Sequence, residues 1–571
     1  MILLRYDVLT VALLTITSVQ AFWSSNQWDA SRIRLRQFDL TQSSDNFYRI
    51  NDAVDGPNET ITDETTEYRL PTSVVPDRYV ITLIPNLDDG NFTFIGAVEI
   101  TLNVTNATNS ITVHANDLEI DDESVSVHRL IDEVDLVVLG LSPDTGRHFF
   151  TVTVSEGLVV GQQYRLRISY TGHLREDMGG FYRSYYYVGT EKRWLASTQF
   201  QPTNARRAFP CFDEPGLKAI FKVSIGVDFG RHALANMPVE SIDVDAESGI
   251  VWHHFQETPM PISTYLIAFV VSDFSNLSSS DGFYSTWQRE AAVGQAQYSI
   301  EVTPRLMRAL EAYTGQEYFL PKLDQVAVPD FDAGAMENWG LITYREQLIL
   351  YVEGVSRAMD KQNVATIIAH ELAHKWFGNL VSPKWWKYLW LNEGFATFFE
   401  YFTTASVETS WRLDHQFVPY AVQSALSSDS LQSSHPMTVD VGSPNEISAI
   451  FSTVSYSKAG SVIRMIEHCL TPETFRQGIS QYVANHGNQT SEPDYLFRAL
   501  QEQYENEVES PEFDVKTVLD TWSTQKGYPV ITVSRNYSQG QTIVRQERFL
   551  RNMSESPTDT RDYKWWVPLT Y

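Results

Sequence analysis

Apolar and polar positions alternate along the first half of the chain with the two-residue period of β-strands. Between residues 98 and 104, valine, isoleucine or leucine alternates strictly with a polar residue. This pattern is typical of a strand with one buried and one solvated face. Comparable β signals occur at residues 77–84, 150–154 and 164–170. The pattern predicts a β-rich amino-terminal domain over residues 68–271.

Helical periodicity replaces the β pattern in the second half of the chain. It begins at Pro304–Tyr313 and continues, with interruptions, to Trp522. In one predicted helix, Asn363 is placed to cap the start and Gly378 lies where a glycine commonly follows the end. A β-rich first part and a helical second part predict a multidomain α+β protein, with residues 272–526 as the second domain.

The most informative motif lies on that predicted helix. His370 and His374 are four residues apart, which places them about 40° apart around a helix axis, so both imidazoles face one metal ion. Glu393, from the next predicted helix, completes a three-ligand zinc site. Glu371 occupies the motif position of the general base that deprotonates the attacking water. The alternative, from these residues alone, is an amphipathic helix with two buried, hydrogen-bonded histidines.

A second motif and three further stretches identify a family. The motif is Gly334-Ala335-Met336-Glu337-Asn338, which starts 36 residues before His370. The other stretches are residues 199–215, 455–465 and 522–550. In this order and spacing, the chain resembles the gluzincin aminopeptidases of the aminopeptidase N family, over about residues 68–571.

The resemblance implies a fold and a cofactor. It implies a β-rich amino-terminal domain, a thermolysin-like α/β catalytic domain over residues 272–526, and the start of a small β-sandwich at residue 527. It also implies one Zn²⁺ per chain, held by His370, His374 and Glu393.

The resemblance also implies roles for individual residues. Catalysis would rest on Glu371 and Tyr456, the latter donating a hydrogen bond to the developing oxyanion. Glu337 would bind the free α-ammonium group of a peptide, and Gln201 would make a second polar contact with it. The remaining members of the substrate-binding loop would be Gly334, Ala335, Met336 and Asn338, the first two running beside an extended substrate. The implied activity is removal of amino-terminal residues from peptides one at a time.

Two other function classes fit part of the pattern. A catalytically impaired form could act as an extracellular binding surface on the same scaffold. A zinc endopeptidase would need the residues from His370 to Glu393 but has no use for an ammonium-binding carboxylate at Glu337. The presence of Glu337 and Tyr456 beside the complete zinc motif favours the aminopeptidase.

The two ends of the chain predict a signal peptide followed by a linker at the amino terminus and an incomplete domain at the carboxy terminus. The apolar stretch 8–19 has the length of a signal-peptide core and is too short to span a membrane, which predicts a signal peptide over residues 1–21. Residues 22–67 are polar and read as a linker or stalk. The chain stops within the expected sandwich, residues 527–571, so we expect a fragment of a longer protein, a truncated gene model or a short form with an open cleft.

Composition agrees with an extracellular enzyme. A net charge of −28 argues against nucleic acid as a partner. Together with the signal peptide, eight Asn-x-Ser/Thr sequons predict a glycoprotein that is secreted or lies on the extracellular face of the plasma membrane, where the resemblance adds a membrane tether. Cys211 and Cys469 fall in different predicted domains and are expected to be buried free thiols. No feature indicates an oligomeric state.

Overall fold

The computed structural model of the protein describes residues 67–88, 90–509, 511–552 and 561–569. The predicted signal peptide and residues 22–66 of the predicted linker lie outside these ranges. Among the helices of the described ranges, none combines the length and the apolar character needed to cross a bilayer.

The amino-terminal part is built of β-strands, as the alternation predicts. The strands are β1 Val74–Pro85, β2 Thr93–Val104, β3 Thr108–His114, β4 Leu118–Ile120, β5 Ser126–Arg129, β6 Val134–Leu136, β7 Val138–Asp144, β8 Phe149–Leu158, β9 Gln163–His173, β10 Gly180–Val188, β11 Glu191–Gln199, β12 Ile220–Val227, β13 His232–Ala235, β14 Val239–Val244, β15 Val251–Phe255 and β16 Phe269–Ser272. In β2 the four apolar residues from 98 to 104 are buried and the three polar residues between them are half-buried, so this prediction is confirmed.

These strands form three sheets. The largest has nine strands in the order β14-β15-β12-β1-β2-β9-β5-β6, with β4 also paired to β9. A four-stranded sheet has the order β10-β11-β16-β13, and a three-stranded sheet the order β3-β8-β7. Alternate residues of these strands supply one continuous apolar core, because each sheet turns one face inward.

A mainly helical domain with its own mixed sheet follows. The sheet contains β17 Ser275–Ser278, β18 Tyr284–Gln288, β19 Leu323–Val328, β20 Ala335–Met336 and β21 Leu341–Arg345. Its order is β17-β18-β19-β21-β20, and β20 is therefore an edge strand. The helices are α1 Gln297–Thr314, α2 Ala358–Ala373, α3 Trp390–Val407, α4 Leu413–Phe417, α5 Gln423–Asp429, α6 Pro444–Ala449, α7 Ala459–Leu470, α8 Pro472–His486, α9 Pro493–Glu507 and α10 Val515–Ser523. A short parallel pair, β22 Ser382–Pro383 and β23 Thr490–Ser491, joins the loop after α2 to the loop after α8.

Two helix starts differ from the predictions. Helix α2 begins at Ala358 rather than near Asn363, because the Asp360 carboxylate accepts a hydrogen bond from the main-chain N–H of Arg357 at 2.8 Å and closes the first turn. Helix α1 begins seven residues before Pro304 and continues through it. Burial of the apolar residues in its first two turns offsets the hydrogen bond that proline cannot donate.

Small residues let α3 and α7 approach each other closely. A Cβ on Gly394 would lie 2.7 Å from the Cβ of Ala459, nearer than two such atoms can stand. On the opposing helix, a Cβ on Gly460 would lie 3.3 Å from the Gly394 carbonyl oxygen. This close packing brings the turn just before α7 against α3.

In the predicted sandwich region, β24 Pro529–Asn536 and β25 Gln541–Arg548 form an antiparallel hairpin. Trp565 is buried against Trp522 of α10, with 6.4 Å between ring centroids. Elsewhere, no disulfide joins Cys211 and Cys469; Cys211 is buried as expected, whereas Cys469 is only half-buried.

Candidate metal and active site

The two helices that carry the zinc motif converge on one buried cluster. From α2 come His370 and His374, and from α3 comes Glu393; all three are less than 8 % exposed. Oxygen Oε2 of Glu393 lies 3.4 Å from Nε2 of His370 and 3.3 Å from Nε2 of His374. Three candidate ligand atoms therefore face a common point, and the four-residue spacing accounts for the two imidazoles that share one face of α2.

A second layer of contacts fixes the orientation of both imidazoles. Nδ1 of His370 lies 3.2 Å from Oε2 of Glu400, and Nδ1 of His374 lies 3.0 Å from the carbonyl oxygen of Phe377. Because Nδ1 is engaged in each ring, Nε2 is left as the ligand atom. Glu400 belongs to no recognised motif, but it follows Glu393 by seven residues, two helical turns, and so shares its face of α3.

The charges around the cluster favour a cation at its centre. Burial by itself would raise the pKa of Glu393, but His374 and the hydrogen bonds from both histidines outweigh burial and bring that pKa to about 2. Burial lowers the pKa of His370, yet Glu393 and Glu400 more than compensate and raise it well above its ordinary value. A bound metal ion takes the place of such protons when it binds.

The donor set fits zinc. Two ligands at bond lengths of about 2.0–2.1 Å in a tetrahedron are separated by about 3.3–3.4 Å, which is the separation of Glu393 Oε2 from each imidazole nitrogen. Two imidazoles and one carboxylate are also the ligands of catalytic zinc sites that keep a fourth position open. His370, His374 and Glu393 are therefore suited to hold this ion.

Glu371 lies beside the cluster with an unused oxygen. Its side chain is 4 % exposed, and Oε2 makes no hydrogen bond to any described residue. Burial raises the pKa of Glu371 to about 7, although the neighbouring histidines lower it. A carboxylate with these properties can take up and release a proton near neutral pH.

Glu337 is buried next to this cluster, directly after the edge strand β20. Candidate ligand atoms of Glu337, Glu371 and His374 all lie within 4.8 Å of one another. Oε1 of Glu337 accepts a hydrogen bond of 3.1 Å from the Gln201 side-chain amide, which comes from the loop after β11 of the amino-terminal domain. Burial raises the pKa of Glu337, and the charge of His374 opposes this effect. The predicted amine-binding pair therefore meets across 136 residues of sequence.

The other residues of the loop have different surroundings. Gly334 and Ala335 are half-buried, and the carbonyl oxygen of Gly334 accepts a hydrogen bond of 3.0 Å from the N–H of Arg345. Met336 is 1 % exposed and belongs to an apolar cluster. Asn338, also 1 % exposed, donates a hydrogen bond of 3.1 Å to the Thr343 hydroxyl. The side chains of Met336 and Asn338 therefore point into the protein and stabilise the loop.

Tyr456 reaches the cluster from a third direction. It lies in a π-helical turn, Val454–Lys458, that leads directly into α7. Its ring stacks on that of His370 at 6.2 Å between centroids, with 11° between the planes. Single π-helical turns occur frequently at functional sites because they redirect one side chain. Here the turn places a phenol beside the imidazole of a predicted metal ligand.

Exchange of Glu400 for glutamine is expected to lower zinc affinity by about 10- to 100-fold, because Nδ1 of His370 would lose its carboxylate partner. Competition with a chromogenic chelator measures this affinity. The matched control is Glu408→Gln at the end of the same helix, where the carboxylate pairs with Arg305 instead. An unchanged zinc affinity in the Glu400 variant would contradict the orienting role.

Comparison with known proteins relates both parts of the fold to one family. Residues 75–266 match the model of the peptidase M1 N-terminal domain, and residues 298–522 match that of the peptidase family M1 domain. Aminopeptidase N of Bos taurus is 38 % identical over 529 residues, which cover 88 % of this chain and 54 % of that protein. Aminopeptidase Ey of Gallus gallus (over 521 residues) and membrane alanyl aminopeptidase of Manduca sexta (over 528) are each 38 % identical as well, across 88 % of this chain and 53 % of theirs.

The chain spans about half the length of these curated relatives. The two domain matches together take in more than half of the chain and lie in the order of the two parts of the fold. The chain therefore belongs to peptidase family M1.

Proposed function

We propose that this protein is a zinc-dependent aminopeptidase that removes amino-terminal residues from peptides one at a time. The observation that carries the proposal is the position of the Glu337 carboxylate within 4.8 Å of Glu371 and His374. A buried carboxylate there would pair with the free α-ammonium of a peptide and leave only the first peptide bond within reach of the cluster. An N-blocked peptide would leave Glu337 unpaired and would be rejected.

Each residue has a defined part in the proposed reaction. His370, His374 and Glu393 would hold zinc, which supplies Lewis acidity toward the scissile carbonyl and toward water when bound. Glu371 Oε2 would take the proton of the attacking water and pass it to the leaving amine. The Tyr456 hydroxyl would donate a hydrogen bond to the carbonyl oxygen as negative charge develops there. Glu337 and Gln201 would hold the substrate's ammonium.

The edge strand β20 suits an extended substrate. Among the described residues it pairs with β21 alone, through Ala335 with Tyr344 and Met336 with Thr343. A peptide lying along the other side could add a strand to the sheet with main-chain hydrogen bonds. Gly334 and Ala335 would then run beside the first residues of the substrate.

We also propose domain boundaries, an extracellular location and glycosylation for this chain. Residues 68–271 would form the amino-terminal domain, 272–526 a thermolysin-like catalytic domain, and 527–571 the start of a β-sandwich. The chain would be a secreted or membrane-tethered glycoprotein with a signal peptide over residues 1–21. Seven of the eight sequon asparagines lie in the described ranges; six of them are exposed and Asn103 is half-buried, which leaves them accessible for glycosylation.

The proposed function is tested with alanyl-p-nitroanilide and its N-acetylated form, using zinc-loaded protein. Hydrolysis of the free-amine substrate alone would support an aminopeptidase. Hydrolysis of both substrates at similar rates would point to an endopeptidase. A folded, zinc-loaded chain that cleaves neither would instead favour a binding surface on this scaffold.

Glu337→Gln is expected to raise KM for alanyl-p-nitroanilide by roughly thirtyfold, about 2 kcal/mol, because the ammonium would lose its ionic partner. Zinc content should stay at one ion per chain, since Glu337 is not among the proposed ligands. Steady-state kinetics and metal analysis measure the two quantities. Lost zinc with unchanged KM would show that Glu337 supports the metal rather than the amine.

A further inference from the structure

Lys375 is a buried lysine whose ammonium group contacts the main chain of the proposed amine-binding loop. Its side chain nitrogen Nζ donates to the carbonyl oxygen of Glu337 at 2.8 Å and to that of Asn338 at 3.4 Å. The residue is 2 % exposed. A lysine side chain is costly to bury unless its donors are used, and these two hydrogen bonds offset part of that cost.

Asn379 makes a second contact with the same oxygen. Its side-chain amide donates to the Glu337 carbonyl at 2.8 Å, and the residue is fully buried. The carbonyl of Glu337 is thus held by two side chains, while its carboxylate faces Gln201. The amine-binding residue is fixed through its backbone as well as through its side chain.

Both donors belong to the short segment that also presents a proposed metal ligand. Lys375 directly follows His374, and the main-chain N–H of Asn379 donates to the His374 carbonyl at 3.0 Å. A shift of this segment would move the His374 imidazole and the two donors together. The amine-binding loop and the metal cluster are therefore tied to one structural unit.

We propose that Lys375 and Asn379 are positioning residues that set the spacing between the Glu337 carboxylate and the His374 imidazole. This inference rests on the proposed function, in which Glu337 binds the substrate's ammonium. The spacing between the two sites decides which bond of the peptide is presented, since an error of about 1 Å in such an arrangement costs about a hundredfold in rate. Lys375 acts through Glu337 and does not itself touch the substrate.

The test compares two ligands that differ only in the α-amine. Leucine hydroxamate carries both the amine and a metal-binding group, and 4-methylpentanohydroxamic acid carries the metal-binding group alone. The Kd of the amine-free ligand divided by the Kd of leucine hydroxamate, both measured by calorimetry on the zinc-loaded chain, reports how well the amine is recognised. Because the measurement is of binding, it does not depend on turnover.

Lys375→Met is expected to lower this ratio by about tenfold, since the Glu337 carbonyl loses one of its two side-chain donors. Zinc content and the Kd of the amine-free ligand should stay within about twofold of the unchanged protein, as expected for altered positioning alone. The control is Lys526→Met. Lys526 is half-buried and donates to the main-chain oxygen of Gln432 at 3.2 Å, a contact that involves neither the segment from His374 to Asn379 nor the Glu337 loop. This control should leave the ratio unchanged.

Asn379→Ser provides an independent variant if Lys375→Met does not fold, and it should lower the ratio in the same direction. An unchanged ratio in either folded variant would overturn the inference. Equal weakening of both ligands would also overturn it, because that result indicates general damage to the site. If the unchanged protein binds the two ligands equally, the proposed function fails at the amine site, and this outcome is distinct from failure of Lys375 alone.

Discussion

Glu371→Gln is expected to lower kcat for alanyl-p-nitroanilide by about three to four orders of magnitude while the protein keeps its zinc. The amide has the shape of the carboxylate but cannot accept the proton that the reaction must move. The side chain is buried, and its Oε2 makes no hydrogen bond to the described residues, so the exchange removes no structural contact of that oxygen. Steady-state kinetics and metal analysis on the same preparation measure the effect.

The matched control for this prediction is Glu467→Gln on α7. Burial raises the pKa of Glu467 to about 7, as it does for Glu371, but Glu467 lies outside the metal cluster. This variant should keep kcat within about twofold, as substitutions away from a site usually do. If Glu371→Gln kept most of its activity, Glu371 would no longer be a candidate for the base.

Tyr456→Phe should reduce kcat by about 100- to 1000-fold, the usual cost of losing one donor to a developing oxyanion. The benzene ring can keep the stacking on His370, so only the hydroxyl is removed. Because the hydroxyl would act mainly in the transition state, kcat and kcat/KM should fall together while KM changes little. Pre-steady-state and steady-state kinetics with alanyl-p-nitroanilide separate binding from chemistry.

Tyr313→Phe is a suitable comparison for the tyrosine variant. The Tyr313 hydroxyl is buried in the helical domain and makes no hydrogen bond to the described residues, so its removal should leave kcat unchanged. A rise in KM with unchanged kcat in the Tyr456 variant would assign this residue to ground-state substrate binding instead.

Local periodicity explains why the centre of the site could be predicted from sequence. His370 and His374 share a helix, and the positions of side chains four residues apart on a helix follow from its geometry alone. Helix geometry also predicts that Glu400 faces the metal cluster, because it lies two turns after Glu393 on α3 and on the same side. The strand alternation of β2 is another local pattern, and its buried and half-buried residues match the prediction.

Helix boundaries were predicted less well because they depend on contacts that the apolar period does not report. The start of α2 is set by Asp360 and the main chain of Arg357, upstream of the predicted cap Asn363. In α1, packing of the first turns against the core overrides the signal of Pro304. In both cases the period of apolar residues located the helix but not its first residue.

The sequence by itself determined that His370 and His374 share one helix face and that the chain divides into a β-rich and a helical part, since each follows from periodicity within single elements. The tertiary structure decided which distant residues meet at the site. Gln201 reaches Glu337 across the two domains, Tyr456 stacks on His370 because α3 and α7 pack closely, and Lys375 holds the Glu337 carbonyl. These contacts join separate elements whose mutual placement is set by the packing of whole domains, and no periodicity within a single segment encodes that placement.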